Sequence, residues 1–221
     1  MNKIEFARFA ELDYTGDEAL NTLCTNLTFA GDGVRKIMMT SCHASEGKSF
    51  ITMNMMRTFA RLGKRVVLVD ADLRRSMLLT RYGGRVQKGV QFGLTHYLAG
   101  MCSAEDVLYE TNMPGAYMVP VGREVNNSLS LLTTQKLPQL LDWLGDKFDF
   151  VLVDAPPVGM IIDAAEIAKS CDGVLFVITY NTISRREMQE AKLQIERTGC
   201  KILGAVLNNV SFDSYSSKKY Y

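Results

Sequence analysis

The chain has 221 residues, 47% of them hydrophobic, enough for one well-buried domain and too few for two comfortable ones. Lys and Arg total 25 against 24 Asp and Glu, so no global charge draws the protein to nucleic acid or to an anionic membrane, and no nucleic-acid partner is expected. The five cysteines, Cys24, Cys42, Cys102, Cys171 and Cys200, are scattered without a C-x-x-C pair, which points to reduced packing thiols of a cytosolic protein and away from a zinc or iron–sulfur site.

In chain order, residues 1–35 read as a helical segment suited to oligomerisation, residues 36–210 as one domain, and residues 211–221 as a polar, tyrosine-bearing mobile tail. Short apolar runs at 37–40, 66–69, 150–153, 174–179 and 202–207 suit buried strands of a parallel sheet covered on both faces. Helical spacing falls between them, at 48–62, 131–147, 163–170 and 184–197. Strand and helix therefore alternate, which predicts a doubly wound α/β fold with a mainly parallel sheet. Gly63 and Gly199 are placed to cap helix ends, and Ser184 with Glu187 forms a capping box. The glycine-rich stretch 75–132 predicts short helices, long loops and one strand near 116–119. No apolar run nears the roughly 20 residues of a bilayer span, and residues 1–6 lack a signal-peptide core. The expectation is a soluble chain able to dock on a membrane protein.

Three of the strands carry chemistry. The first leads into the segment 41–49, which closes on Gly47, Lys48 and Ser49. In that pattern, backbone N–H groups at a helix start cradle phosphates, the lysine reaches the outer phosphates and the serine hydroxyl ligates Mg²⁺. The first glycine of the usual loop is replaced by Cys42, so the tripeptide alone is only moderately specific. Its context between strand and helix, and the later strand ending in Asp154, strengthen it. The second strand leads into Asp70 and Asp72, which in isolation are ordinary strand-end turn residues. Beside a phosphate loop they can hold metal-bound water and accept a proton from an incoming hydroxyl. Arg74 and Arg75 can steady phosphate charge there, although exposed arginines more often only solvate a loop. His43 reads as a loop residue near the nucleotide, His96 as a helix-surface residue, and Trp143 as core. Tyr215, Tyr220 and Tyr221 either pack near the terminus or serve as phosphoryl acceptors.

This trio of motifs, followed by a tyrosine-bearing tail, resembles the bacterial tyrosine kinases of capsule and exopolysaccharide synthesis. The resemblance extends over most of the chain and includes residues 18–26, 93–100, 127–132, 163–164 and 204–208. It implies a MinD-like P-loop ATPase topology, ATP and Mg²⁺ as cofactors, and autophosphorylation between neighbouring subunits. It further implies nucleotide contacts from Ala44, Ser45, Glu46, Gly47, Lys48, Ser49 and Phe50, with Asn208 reading the adenine edge. Lys48, Asp70 and Asp72 become the catalytic set, and Ser49, Asp72 and Asp154 the metal set. Either aspartate of the Asp70 and Asp72 pair can be the base, and Tyr215, Tyr220 and Tyr221 are the acceptors.

The chain also departs from that pattern. Ala44 and Ser45 stand where the family usually has Pro-Gly, and glycine there permits positive φ. Glu18, Asn21 and Cys24 occupy the family's ring-forming Glu-x-x-Arg-x-x-Arg, with both arginines missing. The function implied is a cytoplasmic kinase, homo-oligomeric and held at the inner membrane face by the cytoplasmic tail of a transmembrane activator, a polysaccharide co-polymerase. Two competitors are a ParA/MinD-type switch ATPase, whose early loop lysine is here His43, and a degenerate nucleotide-binding scaffold.

Overall fold

Apolar strand runs and 3.6-residue helical spacing alternate along the folded chain, seen in a computed structural model that describes residues 2–9, 12–31, 33–87, 91–159 and 162–210. The elements are β1 (Asn2–Phe6), α1 (Tyr14–Thr28), β2 (Lys36–Thr40), α2 (Lys48–Arg61), β3 (Val66–Asp70), α3 (Leu78–Arg81), β4 (Gly84–Gln87), α4 (Leu94–Leu98), β5 (Tyr109–Thr111), β6 (Ala116–Val119), α5 (Leu129–Leu132), α6 (Lys136–Gly145), β7 (Phe150–Asp154), α7 (Asp163–Ala168), β8 (Gly173–Thr179), α8 (Arg185–Glu196) and β9 (Lys201–Asn208). Tyr215, Tyr220 and Tyr221 lie outside the described residues.

The strands form one nine-stranded sheet in the order β4-β1-β5-β6-β3-β7-β2-β8-β9. From β6 to β9 every neighbouring pair is parallel, as helix crossovers on both faces demand. Every residue of β3 and β7 is buried, and successive side chains go to opposite faces. Val67, Val69, Val151 and Val153 pack in one core with Leu140 and Leu144 of α6. Val66, Leu68, Phe150 and Leu152 pack in the other with Met53, Met56 and Phe59 of α2. Phe59 stacks on Phe150 with ring centroids 4.1 Å apart, so Phe59→Ala would cost about 3–5 kcal/mol of stability. This packing fixes α2 over β7 and β3. Because β3, β7 and β2 are neighbours, the three motif-bearing strand ends share one edge: Asp154 is level with Asp70 on one side and Met39 on the other.

Several expectations need correction. The segment 1–35 holds the expected helix, α1, but it opens as strand β1, which pairs antiparallel with β4 and parallel with β5. Five residues are too few to show helical periodicity, and pairing with distant partners decides their conformation. The glycine-rich stretch 75–132 contains three strands, β4, β5 and β6, where one was expected. The predicted helix 131–147 is two helices, α5 and α6. Thr133 and Thr134 hydroxyls bond back to the Leu129 and Leu131 carbonyls in the break, and Pro138 is tolerated in the first turn of α6. His96 is half-buried rather than on the helix surface, with Nδ1 accepting the Gly93 N–H at 3.1 Å.

Candidate functional site

Residues 41–47 turn the chain from β2 into α2, and the turn needs left-handed backbone. Gly47 has φ 91°, and a Cβ there would lie 2.1 Å from Asn208 Nδ2, so only glycine fits. Ser45 has φ 66° without being glycine, a conformation that costs about 1–2 kcal/mol. The loop is held in this shape from its flanks. The Glu46 carboxylate, 4% exposed, accepts the His43 N–H through Oε2 at 2.8 Å and the Thr179 N–H at the end of β8 through Oε1 at 3.3 Å. Asn208 Nδ2 donates to the Glu46 carbonyl at 3.0 Å, and Ser41 Oγ donates to the His43 carbonyl at 2.7 Å. The result is a braced turn at the positive end of a helix of 14 residues, an anion-binding geometry.

Facing this turn, Ser49 Oγ donates to Asp154 Oδ2 at 2.6 Å. Asp154 is buried, which raises its pKa, while the Lys48 ammonium and the Ser49 hydroxyl work in the opposite direction. Asp70 is buried as well: desolvation first, and then the Asp154 charge, pushes its pKa well above the usual carboxylate range. Ser76 Oγ donates to Asp70 Oδ2, but Oδ1 is buried with no hydrogen-bond partner. Asp72 is half-buried, and its Oδ1 accepts the Arg75 N–H at 3.1 Å. Between the two sides lies a cleft of about 500 Å³ lined by Ser45, Lys48, Asp72, Arg74, Arg81 and Asp154 among others.

The carboxylates and hydroxyls that line the cleft, Asp72, Asp154, Ser45, Ser49 and Ser76, are hard oxygen donors. Among the described residues no three His, Cys, Asp or Glu side chains converge as a ready metal cage. That arrangement fits Mg²⁺, which retains waters and phosphate oxygens and takes only one or two carboxylates from protein. The orphaned Asp70 Oδ1 is the clearest sign that a donor or cation belongs beside it.

Of the residues singled out from sequence, Ala44, Ser45, Gly47, Lys48, Ser49, Asp72 and Asp154 line the cleft. Glu46 turns its side chain into the loop instead. Phe50 and Asn208 line a second, more apolar groove of about 570 Å³ between α1, α2 and the end of β9, with Leu12, Leu20, Leu207 and Val210. Asn21 and Cys24 make contacts within the subunit: half-buried Asn21 accepts from Arg61 Nη2 through Oδ1 at 3.3 Å at the surface, and Cys24 is buried with its thiol pushed up to about 12. Sequence reasoning missed Ser76, Thr52, Ser128 and the role of Asp163. The Thr52 hydroxyl donates to the Lys48 carbonyl at 2.9 Å and lies 3.5 Å from Asp154 Oδ1. A serine or threonine in a loop or helix gives no signal of this kind; only the fold shows its target.

An AAA domain family matches residues 34–198. The tyrosine-protein kinase CpsD of Streptococcus pneumoniae is 34% identical over 221 residues, covering 99% of this chain and 93% of its own length. Among solved structures, the kinase domain of the Escherichia coli tyrosine kinase ETK superposes with a TM-score of 0.79 at 28% identity, over 93% of this chain and 79% of that one. MinD from Pyrococcus horikoshii, a septum site-determining protein complexed with Mg-ADP, superposes with a TM-score of 0.67 at 26% identity, over 79% of this chain and 70% of its own. Similarity along nearly the whole chain, joined to a braced phosphate loop facing buried aspartates, identifies a nucleotide-binding protein of the bacterial tyrosine-protein kinase family on a MinD-like P-loop fold.

Proposed function

We propose that the protein is a Mg²⁺-ATP-dependent tyrosine kinase that phosphorylates its own tail at Tyr215, Tyr220 and Tyr221 and regulates synthesis or export of a capsular or exopolysaccharide. The observation that carries this reading is the convergence of Lys48, Ser49, Asp72 and Asp154 on one cleft at the exits of three adjacent strands. The α2 amides and Lys48 hold the phosphates, and Ser49, Asp72 and Asp154 would hold the metal. Mg²⁺ held there would supply positive charge against the negative charge that develops on the phosphate oxygens. The tyrosine oxygen forms a bond to the γ-phosphorus as the bond to the β–γ bridging oxygen breaks, and ADP leaves. The phenolic proton passes to a carboxylate of the Asp70 and Asp72 pair. Positioning and charge stabilisation supply most of the rate. The protein works on the cytoplasmic side of the membrane, as a homo-oligomer engaged by the cytoplasmic tail of a transmembrane activator. With Asn21 bonded to Arg61 of its own subunit and Cys24 buried, contacts other than the family's arginines hold its copies together.

The test is incubation with Mg²⁺-ATP, with and without an activator tail, and mapping of phosphotyrosine by mass spectrometry. Phosphate on the tail tyrosines that falls at least about 100-fold in Lys48→Met supports the reading. ATP hydrolysis with nucleotide-dependent dimerisation and no phosphotyrosine supports a switch ATPase instead, a reading favoured by the likeness to MinD.

A further inference from the structure

A second charged cluster lies just behind the cleft. Asp163, the first residue of α7, has a side chain only 1% exposed. Arg74 meets it through Nε at 2.9 Å and Nη2 at 3.4 Å, and Ser128 Oγ donates to the same Oδ2 that Arg74 Nε contacts. Arg74 itself is 37% exposed and lines the phosphate cleft beside Lys48 and Asp72. The loop that carries it is tied to the same region, because the Val125 N–H donates to the Leu73 carbonyl at 2.9 Å.

Resting on the kinase reading above, we infer that Asp163, braced by Ser128, is a positioning residue that fixes the Arg74 guanidinium on the wall of the nucleotide cleft. A carboxylate this buried is tolerated only when paired and hydrogen-bonded, and here, among the described residues, its side-chain partners are Arg74 and Ser128. A guanidinium has five N–H donors. Two are spent on Asp163, and the planar fork leaves the remainder in a fixed orientation for phosphate oxygens. A fixed cation needs no reordering when charge develops on the transferring group, so the benefit falls on the chemical step. Asp163 and Ser128 come from α7 and the residue before α5, neither of which lines the cleft. Their effect on the reaction therefore passes through Arg74.

Asp163→Asn keeps the shape and removes the charge. The expected result is a loss in kcat of about 10-fold to 100-fold, the range for outer partners that orient a charged group, with KM for ATP changed less than about threefold. In an Arg74→Ala background the same substitution adds nothing further, since the two act as a unit. Ser128→Ala, which leaves the ion pair in place, lowers kcat several-fold and covers the case in which Asp163→Asn fails to fold. Independent losses that multiply, or a drop in melting temperature with kcat intact, would overturn the inference. ADP release is followed beside phosphotyrosine, so a wild-type protein that hydrolyses ATP without labelling itself sinks the kinase reading and still tests Asp163. The Arg74 Nε–H resonance gives a readout apart from turnover. It is expected to be protected in the wild type and to shift with a non-hydrolysable ATP analogue. A signal unmoved by the analogue, or equally protected in Asp163→Asn, also overturns the inference.

Discussion

The two sides of the phosphate cleft are stabilised in opposite ways. On the side of the phosphate loop, left-handed backbone at Ser45 and Gly47, costly at Ser45 alone, is held by bonds among Glu46, His43, Thr179 and Asn208. On the aspartate side the backbone is regular strand, but Asp70 keeps an unpartnered buried oxygen and a pKa held high by burial and by Asp154. The first side stores its cost in conformation, and the second in electrostatics. A loop that must match phosphate geometry is best built in advance, whereas carboxylates that await a cation are under-satisfied until it arrives.

The sharpest way to break this contrast is Gly47→Ala. The added methyl meets Asn208 Nδ2, so the last strand or the loop must shift, and affinity for a fluorescent ATP analogue should fall at least about tenfold. Unchanged affinity would mean that the loop is not held from β9. Asp70→Asn probes the other side: phosphotyrosine formation should collapse while the ligand-free protein gains about 1 kcal/mol at neutral pH. The raised folded pKa sets the sign. The protonated form of Asp70 contributes stability fully below the ordinary value near ~3.9 and loses it as pH rises through the folded value. The advantage of the asparagine, read from thermal melts, should therefore grow as pH rises above the ordinary carboxylate range and level off beyond the raised folded value. A constant or shrinking difference would remove the electrostatic half of the comparison.

Ser45→Gly relieves the φ of 66° at the cost of a more flexible unfolded chain, for a net gain of roughly 0.5–1 kcal/mol. A loss of stability would show that Ser45 makes a compensating bond. The smallest effect is expected from His43→Ala. Its contact with Glu187 at 3.1 Å joins side chains that are 47% and 45% exposed, so nucleotide affinity should change by about twofold or less.

The parallel half of the sheet was legible because strands buried on both faces are written as unbroken apolar runs, as at 66–69 and 150–153. The flank made by β1, β4 and β5 was not, since its short, half-exposed strands take their conformation from partners far along the chain. The site followed the same rule. Lys48, Ser49, Asp70, Asp72 and Asp154 announced themselves by residue type at strand ends. Glu46 was read as a nucleotide contact although it braces the loop from within. Ser76, Ser128 and Asp163 depend on which side chains the fold sets opposite each other, and spacing carries none of that.

The bond from Asn208 to the Glu46 carbonyl spans 162 positions of sequence. At a synthesis rate of about 5–20 residues per second, the phosphate loop leaves the ribosome some 8–30 s before its brace. Strand β2 must likewise wait for β7 and β8 before it has neighbours. On the proposed function, the growing chain therefore gains its braced phosphate loop, and with it ATP affinity, only after residue 208 has emerged. Nucleotide capture by released chains truncated at successive positions is expected to rise in one step once residue 208 is included.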